Sequence, residues 1–378
     1  MRVVVVSCNR RLWVAVAAAL LAAAVSLQMG LAAAVGSPQV PAMFVFGDSL
    51  VDNGNNNNLR SLAKANYYPY GCDFNGGSTG RFTNGRTIVD MLGALLGLPY
   101  LPAFKEIENT AGSRAVGGVN YASAAGGILD ETGQHFGERY SMSQQVMNFE
   151  RTLKNELGRM MSGSSLRQYL AKSIVVLVLG SNDYINNYLL PSIYSSACTY
   201  TPPQFANLLL SHYTRHILAL HSLGFRKFLV AGIGPLGCIP NQRASGKAPP
   251  GRCADYVNSM LGSFNEGLKS QVELLNRNHT GTGAMFLYGN TYGAFGDILN
   301  NPAAYGFKVI DTACCGIGRN QGQITCMPFQ VPCDNRNDHL FWDAFHPTEA
   351  ANAVLAWRAY LGPPTDCYPI NVQQMALL

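Results

Sequence analysis

The sequence predicts an α/β protein built on one doubly wound, parallel sheet. Three observations carry that prediction. Five short apolar runs read as buried strands, amphipathic helical patterns fall between them, and the composition supplies a large core. The chain has 378 residues, of which 48% are hydrophobic and 13% charged, and this excludes intrinsic disorder.

The strand candidates are Met43 to Phe46, Gly118 to Ala122, Ile174 to Leu179, Phe228 to Ile233 and Met285 to Tyr288. Each is brief, and most end at Gly or Asn. Near-continuous apolar runs suit parallel strands covered on both faces. Helical periodicity marks Thr87 to Leu96, Ser141 to Leu157, Pro203 to Leu223, Ala254 to Asn276 and Pro347 to Leu361. Pro347 stands where the last of these begins, a position at which Pro is tolerated. The remaining length falls in loops at 51–86, 98–116, 185–202, 234–252 and 289–340. The Asn-rich stretch Asp52 to Asn58 reads as a polar loop. No internal repeat is present, and the crossovers are expected to be right-handed.

The first 36 residues read as a secretory leader. Arg10 and Arg11 precede the apolar run Leu12 to Leu27, and the small residues Ala32, Ala33, Ala34 and Gly36 follow. Cleavage is expected between Ala34 and Gly36, which leaves one domain over 37–378 and no later stretch able to span a bilayer. The formal charge of +5 includes Arg2, Arg10 and Arg11. Without them 24 basic residues face 22 acidic ones, a net of +2. A near-neutral chain with no basic cluster argues against nucleic acid or an anionic membrane surface as the main partner.

Cysteine usage agrees with export. Beyond Cys8 of the leader there are Cys72, Cys198, Cys238, Cys253, Cys314, Cys315, Cys326, Cys333 and Cys367, an odd number. In an oxidising compartment these are read as disulfides, with at least one left over. Cys238 and Cys253 could close a short loop, and the group Cys314, Cys315, Cys326 and Cys333 a second one. That group lacks C-x-x-C spacing, so no zinc site is expected. Asn278-His279-Thr280 is an N-glycosylation sequon, expected on a surface loop.

In open parallel sheets, sites form at the carboxyl ends of the strands. The first strand ends at Gly47-Asp48-Ser49-Leu50, where Ser49 is a candidate nucleophile, although a Ser in this place is more often a turn or cap residue. The second ends at Ala122-Ser123-Ala124-Ala125-Gly126-Gly127, whose small residues let backbone N–H groups approach a ligand. Ser123 is a rival nucleophile with no base near it in sequence. The third ends at Gly180-Ser181-Asn182-Asp183, where the Asn182 amide could donate to an oxyanion or form an Asx turn. Near the C-terminus, Asp343-Ala344-Phe345-His346 puts an imidazole three residues after a carboxylate. Imidazole titrates near neutrality, which suits a general base. His339 is the one serious rival. His212, His216 and His221 read as a solvated helix face, and His135 and His279 as loop residues. Ser, Gly, Asn and Asp/His in that order, mostly at successive strand ends, would assemble a nucleophile, an oxyanion hole and an oriented base.

These motifs resemble the plant GDSL esterase/lipase family of the SGNH hydrolase superfamily. Phe46-Gly47-Asp48-Ser49-Leu50-Val51-Asp52-Asn53-Gly54, Gly118 to Gly127, Val178 to Tyr184 and Asp343 to Thr348 are similar to its successive blocks. Gly80 to Arg86, Gly234 to Cys238 and Cys314-Cys315-Gly316 add to the resemblance, which covers essentially the whole mature chain. It implies a three-layer α/β/α sandwich, flavodoxin-like, with a mainly parallel sheet of about five strands. It also implies a secreted esterase or lipase, EC 3.1.1.-, that needs no metal or cofactor. Ser49 would be the nucleophile, His346 the base and Asp343 its orienting acid. Ser49 and Gly126 would supply oxyanion-hole N–H groups, and Asn182 a side-chain amide. The expected substrates are lipid, cuticle or cell-wall esters. An acyltransferase using the same triad and a non-catalytic binding protein are the competing expectations. Tyr67, Tyr68, Tyr121, Tyr184 and Tyr188 are candidates to line the cleft or to pack.

Overall fold

The computed structural model describes residues 37–108, 113–249 and 251–378, so the expected leader lies outside the described residues. Seven strands are present among them: β1 (Met43–Gly47), β2 (Ile174–Val178), β3 (Lys227–Ala231), β4 (Met285–Gly289), β5 (Val309–Ala313), β6 (His339–Phe341) and β7 (Cys367–Tyr368). The longer helices are α1 (Ile88–Leu95), α2 (Met142–Thr152), α3 (Gly163–Lys172), α4 (Pro202–Ser222), α5 (Asp255–Asn278), α6 (Thr291–Asn300) and α7 (Glu349–Leu361), with a short α8 (Val372–Ala376) at the end.

Strands β1 to β4 pair in parallel in chain order, and β7 adds antiparallel to β4, giving the expected mainly parallel sheet of five strands. Alternate residues face opposite layers, as the pleat requires. Phe44, Phe46, Val175, Leu177, Phe228 and Phe286 pack against α2, α4 and α5. Met43, Val45, Ile174, Val176, Leu229 and Leu287 pack against α1, α7 and α8. The strands are apolar on both faces because helices cover both.

Capping sets the helix starts. Thr87 and Asp90 form a reciprocal capping box at α1, and Thr201 and Gln204 do so at α4. At α7 the Thr348 hydroxyl accepts from the Ala351 N–H, so Pro347 stands before the cap instead of in the first turn.

The run Gly118–Ala122 departs from expectation. It lies along the outer edge of β1, where the Val45 N–H donates to Val119 and the Tyr121 N–H to the Val45 carbonyl. It does not extend the sheet as a strand, because the near-side ladder is broken at both ends: the Gly47 N–H is held by the Gln145 side-chain oxygen, and Gly118 adopts φ +109°. Its far side is held by other groups. The Asn55 amide donates to the Asn120 and Ala122 carbonyls, and the Phe104 N–H also reaches Asn120. Inside the long loop expected at 289–340 the chain forms α6 and the separate parallel pair β5–β6.

Among the described residues three disulfides form, Cys238–Cys253, Cys314–Cys333 and Cys315–Cys326, and Cys72, Cys198 and Cys367 are free. Among the described residues no helix is long and apolar enough to cross a membrane.

Candidate active site

The carboxyl ends of β1 and β2 open into a cavity of about 180 Å³ lined mainly by apolar side chains. Ser49 lies two residues beyond β1. The chain turns there because Gly47 has no side chain: a Cβ would sit 2.2 Å from Val51 Cγ2. The Asp48 carbonyl accepts from the Val51 and Asp52 N–H groups, and its Oδ1 from the Leu50 N–H. No partner holds the Ser49 N–H among the described residues.

The Ser49 hydroxyl lies 2.8 Å from His346 Nε2. On the far side of the ring, Nδ1 lies 2.8 Å from Asp343 Oδ1 and 2.9 Å from Oδ2. A carboxylate facing Nδ1 fixes the proton there and leaves Nε2 as the acceptor for the hydroxyl. Asp343 is fully buried and His346 nearly so. The Phe345 and His346 N–H groups donate to Asp343 Oδ1, and the Tyr70 hydroxyl donates to Oδ2 at 2.6 Å. Burial pushes the Asp343 carboxyl up, but the facing imidazole and the Tyr70 and Phe345 donors outweigh it and hold it below the ordinary value. Tyr70 carried no signal in the sequence, because its partner is 273 residues away.

Asn182 stands just beyond β2, where Gly180 turns the chain at φ +119°. Its Oδ1 accepts from Asn186, so the Nδ2 end faces the cleft side and donates to the Gly126 carbonyl at 2.9 Å. One amide proton is thereby engaged and the second is left over. The Gly126 N–H donates to the Ser123 carbonyl within its own turn. Its neighbour Ala125 lines the cavity at φ +63°, and none of the described groups accepts its N–H. A left-handed alanine is strained, and such residues gather at functional sites.

The Asn-rich segment expected as a polar loop is largely buried behind this turn. Asp52 accepts from the Gly54, Asn55 and Ala124 N–H groups, and the Asn56 amide donates to the Ala63 and Ala124 carbonyls. Gln145 brackets Gly47 through both its oxygen and its nitrogen. Asp183 accepts from Ile128, Leu129 and Thr132. Burial raises Asp48 to about 7, and Asp52 and Asp183 each to about 6.

The rivals are placed otherwise. Ser123 is buried and donates to Asn56 Oδ1. His339 Nδ1 faces Cys333 Sγ and the Asn335 carbonyl. Of the five tyrosines singled out, Tyr67 lines the cavity, Tyr121, Tyr184 and Tyr188 are in the core, and Tyr68 is exposed. Asn278 ends α5 and is exposed, as is Thr280 of its sequon. Among the described residues, no group of three or more His, Cys, Asp or Glu could hold a metal ion.

Comparison with known proteins bears on the family. Residues 43–358 match the family model described as GDSL-like Lipase/Acylhydrolase. The chain is 61% identical over 343 residues to GDSL esterase/lipase At1g71250 of Arabidopsis thaliana, covering 91% of each. It is 59% identical over 340 residues to GDSL esterase/lipase At5g08460 of the same plant, covering 89% of this chain and 88% of that one. GDSL esterase/lipase 7 of Arabidopsis thaliana is 48% identical over 344 residues, covering 90% and 93%.

Proposed function

Since the chain belongs to the GDSL-like lipase/acylhydrolase family and is a carboxylic ester hydrolase, we propose that it works by serine acyl transfer at Ser49. The observation that carries this reading is the unbroken chain from Asp343 through His346 to Ser49, with both links at 2.8 Å.

His346 Nε2 takes the Ser49 proton as the hydroxyl oxygen attacks the ester carbonyl. The imidazolium that forms is stabilised by Asp343, which Tyr70 in turn holds in place. The tetrahedral oxyanion is met by the Ser49 N–H, by the remaining Asn182 amide proton and by the turn at Ala125–Gly126. In that turn the Ala125 N–H is the available donor, because Gly126 uses its own on Ser123. His346 returns the proton to the departing alcohol. A water, activated by the same Nε2, then attacks the acyl-enzyme, and Ser49 leaves with its proton restored.

The apolar lining, which includes Leu236, Ile239, Phe295 and Phe341, suits an acyl chain and supports lipid, cuticle or cell-wall esters as substrates. The leader-like first 36 residues and the three disulfides support secretion. Hydrolysis of a p-nitrophenyl ester series by wild type and Ser49→Ala tests the reading. Turnover should vanish in Ser49→Ala with the melting temperature kept. Asn182→Ala should lower kcat by roughly 10²–10³. Retained turnover in Ser49→Ala would remove Ser49 as the nucleophile.

A further inference from the structure

We propose that the segment between the stapled cysteines is an interfacial anchor, which seats the mouth of the cavity on the surface of an aggregated, water-insoluble ester phase. The proposal rests on the hydrolase reading above.

Residues 316–332 lie inside the Cys314–Cys333 staple, and Cys315–Cys326 ties their first half down. The segment carries one charged side chain, Arg319, and no acid. Its large apolar side chains point outward: Phe329 is 85% exposed and Val331 83%, with Ile324 and Met327 also exposed. This presentation is built. Phe329 adopts φ +62°, a conformation costly for an aromatic residue. It is held by its N–H bond to the Tyr68 carbonyl, while Gln330 ties Met327 to Gly316. A disulfide-clamped tip that spends strain to keep a Phe in water calls for an apolar occupant.

Its position names that occupant. Thr325 lines the cavity, and the cavity-lining Tyr67 donates its hydroxyl to the Cys326 carbonyl at 2.9 Å. Leu62, 82% exposed, also lines the cavity and adds an apolar side chain at the opening. The apolar tip is therefore continuous with the opening through which an ester must pass. A protein seated here would obstruct that opening, whereas the substrate phase must reach it. The absence of acids in the segment removes charge repulsion from anionic lipid surfaces.

Partition onto a triolein emulsion tests this, using the full-length secreted protein in an Ser49→Ala background so that the droplets are not consumed. Phe329→Asn with Val331→Ser is the principal variant, because Asn tolerates the left-handed backbone. Partition should fall tenfold or more, and in the active background triolein turnover should fall with it. Turnover of p-nitrophenyl acetate, which is monomeric in water, should stay within twofold. That ester also reports folding. Should the double variant not fold, Val331→Ser alone should give a smaller fall in partition of the same kind. Unchanged partition in a folded variant overturns the proposal, as does wild type binding droplets no better than serum albumin. A dimer on gel filtration that dissociates in the variant also overturns it, by assigning the face to a second copy. If Ser49→Ala still cleaves p-nitrophenyl acetate, the assignment of Ser49 as the nucleophile fails separately.

Discussion

Ser49 and His346 meet at 2.8 Å from two sides of the cleft, and the two sides are held in different ways. On the Ser49 side, the turn after β1 and the turn at 122–127 are fixed by buried amides and carboxylates. Asp52, Asn55, Asn56 and Gln145 together satisfy backbone groups from Gly47 to Ala124. On the His346 side, the chain arrives from the two-stranded β5–β6 unit, and two disulfides clamp the segment beside it. There the Cys314 and Cys315 N–H groups donate to the Phe341 and Trp342 carbonyls, so the staples attach directly to the backbone leading into Asp343. One side depends on protonation states and complete hydrogen bonding, the other on covalent bonds. The same positional demand has been met twice by unrelated means, and each means has its own weakness.

The largest break should come from the polar side. Asn56→Ala strands the Ala63 and Ala124 carbonyls and takes the acceptor from Ser123. An unmade buried hydrogen bond costs about 1–3 kcal/mol, so the loss should be on the order of 3–5 kcal/mol, read by urea unfolding. A loss under about 1 kcal/mol would mean that the network relaxes and is not what holds the turn. The same side predicts an unusual pH dependence. Asp48, Asp52 and Asp183 have folded pKa values raised to about 7, 6 and 6. Between their unfolded values near 4 and these values, the folded state binds more protons than the unfolded one. Their contribution is therefore full below about 4 and lost as pH rises through 6 to 7. Asp343, held below its ordinary value, works oppositely and loses its contribution in strong acid. Stability should accordingly be higher at pH 5 than at pH 7.5, by a few kcal/mol, and Asp48→Asn should flatten that rise. A melting temperature that climbs from pH 5 to 7.5 would contradict this.

The stapled side should yield to reduction instead. Removing Cys315–Cys326 by the paired change Cys315→Ser and Cys326→Ser opens a loop with a separation of 11 residues. Chain entropy assigns such a loop about 3 kcal/mol. Dithiothreitol should abolish ester turnover in wild type while the circular dichroism of the sheet persists, and Asn56→Ala should not change that sensitivity. Simultaneous loss of turnover and sheet signal would mean that the staples hold the whole fold and not one side of the cleft.

The two sides also differed in how far the sequence disclosed them. Ser49, Asn182 and the Asp343/His346 pair stand in short motifs at strand ends or before a helix, where topology alone puts chemistry together. The structure brings all four to one cleft. The groups that support them are not legible there. Asn55 and Asn56 read as a solvated loop because Asn-rich segments usually are, and burial is a tertiary property. Which of Ala125 and Gly126 turns its N–H outward depends on a backbone angle, and no side-chain type reports it. The strands β5 and β6 mix polar and apolar residues and pair outside the main sheet, so periodicity did not separate them from loop. Gly118–Ala122 has a strand's composition, but its ladder with β1 is cut where Gln145 takes the Gly47 N–H and where Gly118 turns to positive φ.

Tyr70 joins the two sides, and it gives the smallest predicted effect and the sharpest one. Its ring packs edge-on with Tyr67, Phe82 and Trp342, so Tyr70→Phe keeps the packing and deletes one hydrogen bond to Asp343 Oδ2. Thr325 at 3.3 Å is a weak substitute donor for that oxygen. If Tyr70 positions Asp343 against the imidazolium formed in the transition state, kcat should fall about tenfold, which corresponds to about 1.4 kcal/mol, with KM unchanged. A purely structural role would lower the melting temperature and leave kcat and KM alone. Tyr70 belongs to neither the amide network nor the stapled segment. A drop confined to kcat would therefore show that the two sides are coupled through a third contact, and that neither scaffold alone sets the geometry of the base.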